Sequence, residues 1–485
     1  MKLLSFLLDD LAEKNTLSDI PVLSITNNSR DVTQGTLFIA YLGEKSDGRK
    51  YIAQAVALGA AAILYEPSDD FLPEKQAIPC IPVFQLKTKQ SLIAARFYDY
   101  PSCRLSVVGV TGTNGKTSTT HFIASALQDC AVIGTIGYGF LDQPLIKTIN
   151  TTPDGLQLQK MFAELAVRGA KTVAMEVSSH ALVQERVNDV DFQVAVFTNL
   201  TQDHLDFHGT MEHYRDAKEL LFKNMRQGFP AIINIDDPAG QYYADKYRDH
   251  LSVITYSVRN HHADIAVEKC VPTVKGFDVT VNTPWGRGEL QCPLIGTFNI
   301  ENVLAVLGVL GVLGVSFSEI VEKLSHLKTV HGRMQLFHAD HQPHVIVDYA
   351  HTPDALEKAL LSIKAHCHGK LICVFGCGGD RDKTKRAKMG RIAEQCADHI
   401  IITNDNPRTE NPAHIVQDIL SGVKNKTACD IELDRDKAIA QAIQTAGEND
   451  WILVAGKGHE IEQIIGDKIL MHNDGECVIY HLRKK

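Results

Sequence analysis

Residues 107–118 read Val107-Val108-Gly109-Val110-Thr111-Gly112-Thr113-Asn114-Gly115-Lys116-Thr117-Ser118. An apolar, β-branched run enters a glycine turn, and a helix is expected to begin around Thr119. Strand, glycine loop and helix in that order make a phosphate cradle. The glycines let backbone N–H groups approach phosphate oxygens, and the helix N-terminus favours negative charge. Lys116 neutralises the outer phosphates, and the Thr117 hydroxyl can ligate Mg²⁺. The spacing departs from the common P-loop: GxxxxGK[ST] needs glycine at position 110, where Val110 stands, so the motif is the shorter GTNGKT. A GTP switch would also need an NKxD-type guanine-reading tetrapeptide, and the chain contains none.

Outward from this loop, short β-branched runs alternate with helical patterns, as in parallel sheets covered by helices. The strand KTVAMEV (171–177) delivers Glu176 at its C-terminal end, followed by Ser178, Ser179 and His180. VAVFTN (194–199) delivers Asn199 ahead of Thr201, Asp203 and His204. Ligands bind at strand C-termini in open α/β sheets. A carboxylate and an imidazole arriving beside a phosphate loop can hold Mg²⁺, although either residue alone is more often structural. Before the loop, GTLFIA (35–40), YIAQAVALG (51–59) and AAILYE (61–66) form a small α/β unit ending near Tyr100-Pro101. After an apolar helix following Asn299, HGRMQLF (331–337) opens a third region with strands at HVIVDY (344–349), KLICVFG (370–376), HIIITND (399–405) and WILVAG (451–456).

Composition bounds the function. A length of 485 residues suggests about three domains, and 44% hydrophobic with 22% charged residues is ordinary globular composition. The longest apolar stretch, Val303 to Val315, holds three glycines and falls short of the ~18 residues that span a bilayer. The opening MKLLSFLLDD meets two aspartates too early for a secretory signal, so a cytoplasmic address is expected. Eleven scattered cysteines fit reduced thiols, with Cys373 and Cys377 read as strand-end packing. A net charge of −9 disfavours nucleic acid and favours small-molecule chemistry.

Ten motifs in order resemble the Mur ligases: GTNGKTST, NTTPDG (150–155), MEVSSHAL (175–182), NLTQDHLDFHGTMEHYRDAKELLF (199–222), GTFNIENVLA (296–305), HGRMQ (331–335), DYAHTPD (348–354), GCGGDRDKTKR (376–386), DNPR (405–408) and GKGHE (456–460). The resemblance implies a three-domain α/β architecture: a UDP-sugar domain at 1–102, a central P-loop ATPase-like domain at 103–330 and a C-terminal Rossmann-like domain at 331–485. It also implies an ATP-dependent amide ligase of peptidoglycan synthesis, a monomer using Mg²⁺. Within the family the motifs are most similar to those of members that add meso-diaminopimelate to UDP-MurNAc-L-Ala-D-Glu through an acyl phosphate. By the same resemblance Gly112, Thr113, Asn114, Gly115, Lys116, Thr117 and Ser118 hold ATP. Asn299 lies near adenine, Arg333 reaches the phosphates and Asp348 approaches the ribose. Lys116, Glu176, His204 and Lys218 serve catalysis, and Thr117, Glu176, His204 and Lys218 serve the metal.

In the sugar-nucleotide site the resemblance places Asn27, Ser29, Glu44, Lys45, Ser46, Asn150, Thr151, Thr152, Ser178, Gln184 and Arg186. For diaminopimelate it gives Arg381, Asp405, Asn406, Pro407, Arg408, Gly456 and Glu460, with Arg408 on the distal carboxylate. Alone, Lys218 in the expected helix 211–223 reads as a solvated lysine; the resemblance makes it a CO₂-carbamylated one. Read without the family, Asn299 is a helix cap, Arg333 a linker charge and Asp348 a strand-end cap. A lysine-adding ligase, a folylpolyglutamate synthase and an inactive nucleotide-binding regulator stay open as alternatives. Residues 1–100 argue against the folate enzyme, which lacks the UDP-sugar domain.

Overall fold

The strand Ser106–Thr111 is central in its sheet, with Thr172–Glu176 parallel on one side and Phe192–Phe197 parallel on the other. Pairing sets Glu176 opposite Val110 and Phe197 opposite Thr111. Both neighbouring strands therefore end at the level where the glycine loop begins. Gly109 is required inside this strand, because a Cβ there would meet the Phe192 ring at 2.6 Å. The helix runs Lys116–Ala126 and starts three residues before the expected Thr119, because Gly115, at φ +86°, turns the chain directly into it. Lys116, Thr117 and Ser118 thereby occupy the first turn.

A computed structural model describes residues 1–12, 19–43, 46–71, 73–273 and 276–484. The chain divides into two units, Met1–Thr255 and Tyr256–Lys485. In the first, four parallel strands, Ser24–Thr26, Thr36–Ala40, Ala62–Tyr65 and Cys80–Pro82, form a small sheet. Thr36–Ala40 is buried on both faces, Leu37 and Ile39 joining one core cluster and Phe38 and Ala40 another. This explains why the strand reads as an unbroken apolar run. Helix Leu86–Phe97 packs on helix Gly155–Val167, and Gly155 leaves room for Ser91, which a Cβ would meet at 2.4 Å.

The second unit carries three antiparallel strands, Ile265–Thr273, Gly276–Thr283 and Gly286–Cys292, which sequence reading did not find. Their outer faces are polar, so they lack the apolar runs that marked the parallel strands. Next comes the buried helix Thr297–Val312. The remaining sheet orders Gln335–Phe337, His344–Asp348, Trp451–Ala455, Leu371–Phe375, His399–Ile402 and Cys429–Ile431, parallel except for the first. Its strands alternate between two cores: Leu371, Cys373 and Phe375 face one, Ile372 and Val374 the other. The thiol of Cys377 packs on the Met389 sulfur at 3.7 Å, consistent with strand-end packing. Among the described residues no helix is long and apolar enough to cross a membrane.

Behind this sheet, Arg435 and Asp474 form a fully buried pair on helices Arg435–Thr445 and Asp474–Lys484. The guanidinium donates to both carboxylate oxygens at 2.7 Å, and also to the carbonyls of Ala455 at 2.9 Å and Asn404 at 3.3 Å. It thus fixes the chain where two strands pass into the 405–408 and 456–460 loops. Burial pushes the Asp474 carboxyl up, but the charge and hydrogen bonds of Arg435, with His472, outweigh it and hold the group well below its ordinary 3.8. Asp474→Ala is expected to destabilise the protein by about 3–5 kcal/mol in urea denaturation, since it strands a buried cation. The pH dependence has a definite sign: the pair's contribution is complete above about pH 4 and is lost as pH falls below it. A variant with wild-type stability at pH 7 would contradict this.

Candidate active site

Gly112 has φ +149°, and a Cβ on it would lie 1.9 Å from Thr198 Oγ1. Only glycine fits. Its carbonyl accepts from two ammonium groups, Lys116 Nζ at 2.9 Å and Lys218 Nζ at 2.8 Å, and Lys116 also reaches the Thr113 carbonyl at 2.8 Å. The far side of the loop is tied down by the end of the neighbouring strand. Thr113 N donates to Asn199 O at 2.8 Å, Asn114 N to Asn199 Oδ1 at 2.9 Å, and Thr198 Oγ1 to Asn114 O at 2.6 Å. Ser118 is half-buried in the first helical turn.

Lys218 lies on Met211–Lys223, the expected helix, but it is not solvated: the residue is 1% exposed. Its ammonium sits over the Tyr214 ring at 4.4 Å, and the Tyr214 hydroxyl lies 3.3 Å from Thr113 Oγ1. Burial, then the Lys116 charge, push the Lys218 amine well below the ordinary lysine range, against the pull of Asp203. His204, in a left-handed turn at φ 52°, packs on His180 at 4.9 Å between ring centroids. Burial, opposed by Asp203 and reinforced by Lys116 and Lys218, lowers its imidazole pKa. His208, against Ser179 Oγ at 2.9 Å, is lowered by burial and neighbouring cations to about 4.

Glu176 is buried at its strand end. Its Oε1 accepts from Thr117 Oγ1 at 3.0 Å and Thr135 N at 2.8 Å, and its Oε2 from Thr135 Oγ1 at 3.2 Å. Thr135 in turn contacts Thr151 Oγ1 at 3.0 Å. Thr152 Oγ1 donates to the Glu176 carbonyl at 2.8 Å and accepts from Ser178 N at 3.0 Å. Arg186 donates to Thr152 O at 2.8 Å and to Gln184 Oε1.

Gln184 and Arg186 line a cavity of about 310 Å³ together with Tyr41, Ser46, Gln90 and Asn150, whereas Thr151, Thr152 and Ser178 are not among its lining residues. Asn27 joins this region through Gln90 Oε1 at 3.1 Å and Tyr41 OH at 3.4 Å. Ser29 is buried in the turn Ser29–Asp31 and is not among the lining residues. Glu44 and Lys45 lie outside the described residues.

In the second unit Asn299 is buried and donates to Ile295 O at 2.8 Å, which ties down the entry to its helix. Asp348 accepts from Met334 N at 2.7 Å and Ala350 N at 2.8 Å, as a strand-end cap would. Arg333 stacks over the Tyr349 ring at 4.6 Å, with its buried Nε lacking a hydrogen bond. The residues expected to hold the amino acid come together at strand C-termini. Gly379 N donates to Asn406 O at 2.9 Å and Arg408 NH1 to Gly379 O at 2.8 Å. Arg408 has φ 52°, and a Cβ on Gly378 would meet its NH1 at 2.9 Å and Arg381 Cγ at 3.7 Å. A side chain at Gly379 would strike Pro407 O at 1.9 Å, and one at Gly456 would strike Asp405 Oδ2 at 2.6 Å. Asn406 Nδ2 donates to Glu460 Oε2 at 2.9 Å.

The loop fits a nucleotide phosphate: its cradle excludes side chains, and the Lys116 ammonium is spent on carbonyls that phosphate oxygens can replace. The orphaned Arg333 Nε fits an anion as well. For Mg²⁺, the adjacent Thr117 hydroxyl and Glu176 carboxylate are suitable hard donors. Among the described residues no group of three or more His, Cys, Asp or Glu stands ready to hold a metal ion. Sequence reading passed over Thr135, Lys457 and Arg386. Nothing marks Thr135 in sequence. Lys457 stands within GKGHE, and Arg386 ends GCGGDRDKTKR, where it donates to Glu410 at 2.8 and 3.0 Å and to Gly378 O at 3.2 Å.

Family models match three stretches: the Mur ligase family catalytic domain at 21–98, the Mur ligase middle domain at 110–310, and the Mur ligase glutamate ligase domain at 332–458. A UDP-N-acetylmuramoyl-L-alanyl-D-glutamate--2,6-diaminopimelate ligase from Coxiella burnetii (strain RSA 493 / Nine Mile phase I) is 50% identical over 486 residues, 98% of each chain. A solved structure of a ligase of the same name is 32% identical, with TM-score 0.70 over 96% of this chain and 95% of that one. The UDP-N-acetylmuramoylalanyl-D-glutamyl-2,6-diaminopimelate--D-alanyl-D-alanyl ligase from Acinetobacter baumannii, 19% identical, shares the fold, with TM-score 0.68 over 100% of this chain and 98% of that one. With its motifs, its three-domain α/β fold and these likenesses in agreement, the chain belongs to the Mur ligase family.

Proposed function

We propose that the chain joins meso-diaminopimelate to the D-glutamate side-chain carboxylate of UDP-MurNAc-L-Ala-D-Glu at the expense of ATP, in peptidoglycan precursor synthesis. The observation that carries this reading is 50% identity across 98% of both chains with a diaminopimelate ligase. A carboxylate is a poor acylating agent. One of its oxygens therefore attacks the γ-phosphorus of ATP, the bond to ADP breaks, and an acyl phosphate forms. The amine then attacks the acyl carbon, the C–O bond breaks, and phosphate leaves as the amine sheds a proton. Protein residues contribute mainly charge compensation and positioning.

In this reading residues 1–102 hold the UDP sugar, 103–330 the ATP phosphates and 331–485 the amino acid. Lys116 leaves the loop carbonyls for phosphate oxygens. Asn150, Gln184, Arg186 and Ser46, which line the cavity, meet the sugar nucleotide. Thr117 and Glu176 would hold Mg²⁺, with His204 and a modified Lys218 contributing, and the ion when bound supplies charge neutralisation at phosphate oxygens. Arg333, with its spare Nε, serves the phosphates. The protein works as a cytoplasmic monomer.

Lys218 is carbamylated in this account. Its neutral amine attacks the carbon of CO₂, an N–C bond forms as one C–O π bond opens onto oxygen, and a proton leaves, so that a neutral amine becomes an anionic carbamate. A buried amine whose pKa is lowered by burial and by Lys116 is neutral more of the time, which favours this reaction. Acidification protonates the amine and opposes it. Lys218→Ala should lose ligase activity, and added short carboxylates should restore part of it. Full activity in the variant would end this assignment.

Arg408 pairs with the distal carboxylate of diaminopimelate, a group that lysine lacks. Losing a charge-assisted pair costs roughly 2–5 kcal/mol. Competition assays should therefore find wild-type protein strongly selective for diaminopimelate and Arg408→Ala largely unselective. Unchanged preference in the variant would contradict the role of Arg408, and a wild type that uses lysine equally well would contradict the substrate.

A further inference from the structure

We propose that Lys457 is a positioning residue that sets the amino-acid preference of the 405–408 and 456–460 loops. This rests on the reading that those loops receive the incoming diamino acid. The Lys457 side chain is 0% exposed, unusual for a lysine on a loop. Its Nζ donates to Asn406 Oδ1 at 3.1 Å and Glu460 Oε2 at 2.9 Å, while Asn406 Nδ2 donates to that same Glu460 oxygen at 2.9 Å. The three side chains close a ring.

Each bond of the ring constrains another. Asn406 Oδ1 also accepts from Ile464 N at 3.0 Å, so with two donors on its oxygen the amide cannot flip, and its NH₂ must face Glu460. Glu460 Oε2 is then occupied by two donors. Among the described residues none donates to Oε1, and a third of the side chain remains exposed. Lys457 therefore decides which carboxylate oxygen is presented to a ligand ammonium. It needs no contact with the ligand itself.

Charge gives the same residue a second effect. At neutral pH diaminopimelate carries two ammonium and two carboxylate groups, whereas lysine carries two ammonium groups and one carboxylate. Lysine is thus more positive by one unit. A buried ammonium beside the ligand's site disfavours the more cationic candidate, whatever the other charges there sum to. Removing it shifts preference towards lysine, a direction that general loss of structure does not predict.

The test is steady-state kinetics of wild type, Lys457→Met and Lys457→Arg with diaminopimelate and with lysine, alongside the KM for ATP. In Lys457→Met the KM for diaminopimelate should rise about tenfold and the ratio of kcat/KM for diaminopimelate over lysine should fall about tenfold or more. The KM for ATP should hold within about twofold, since uniform damage would move both. Lys457→Arg, which keeps the charge, should retain most of the wild-type ratio even if turnover drops. Should Lys457→Met not fold, Lys457→Gln, which can donate but is neutral, carries the same expectation. A neutral variant with the wild-type ratio, or a charge-keeping variant whose ratio collapses as far as the neutral one, overturns the proposal. If wild type itself shows no preference for diaminopimelate, it is the reading of the amino-acid site that fails.

Discussion

Two lysine ammonium groups share one carbonyl, that of Gly112, and the rest of the first unit is arranged around that meeting. Gly112 has no side chain because Thr198 occupies the space. Thr198 is there because its strand pairs in register with Ser106–Thr111, and the same register brings Glu176 to the loop from the other side. Two like charges in a buried setting repel. Burial first, and the Lys116 charge second, push the amine of the more deeply buried one, Lys218, towards neutrality. Phosphate oxygens relieve this by giving Lys116 an anionic partner, so a nucleotide site is electrostatically unfinished until its ligand arrives.

The second unit solves a different problem, holding three loops against one another at the end of a parallel sheet. Buried cations do much of this. Arg386 ties the 378–380 turn to Glu410, Arg435 fixes the carbonyls of Asn404 and Ala455, and Lys457 joins Asn406 to Glu460. Such pairs add little net stability compared with apolar packing, but breaking one strands its partner, so they hold geometry firmly. One residue so held is Arg408, at φ 52°, whose backbone N–H donates to the Ile464 carbonyl and whose guanidinium donates to Gly379 O.

Sequence made legible the parallel strands that are buried on both faces and read as continuous apolar runs, such as Thr36–Ala40, Leu371–Phe375 and Trp451–Ala455, whereas the short, more exposed parallel strands Cys80–Pro82 and Cys429–Ile431 escaped. The antiparallel strands between Ile265 and Cys292 escaped because one face meets solvent and their alternation is broken by Pro272 and by a register shift near Lys269. The start of the helix at Lys116 was placed late because a left-handed glycine, rather than a polar cap, begins it. Resemblance singled out motif residues expected to touch a ligand, but not those that hold these residues in place. Lys218 is the sharpest case: helical spacing alone gives a solvated lysine, and only the packing of Tyr214 and the loop above it makes the residue buried. Lys457 and Arg386 lay inside quoted motifs, but their roles depend on partners 51 and 24 residues away.

The central claim is that the loop and its lysines transfer a phosphoryl group onto a carboxylate before any amide bond forms. The most direct test uses UDP-MurNAc-L-Ala-D-Glu labelled with ¹⁸O in the glutamate side-chain carboxylate, with ATP and diaminopimelate, followed by mass spectrometry of the products. Attack of the carboxylate on the γ-phosphorus predicts one ¹⁸O in the released inorganic phosphate for each amide formed, with ADP unlabelled. Unlabelled phosphate, or label in a nucleotide product, would contradict it.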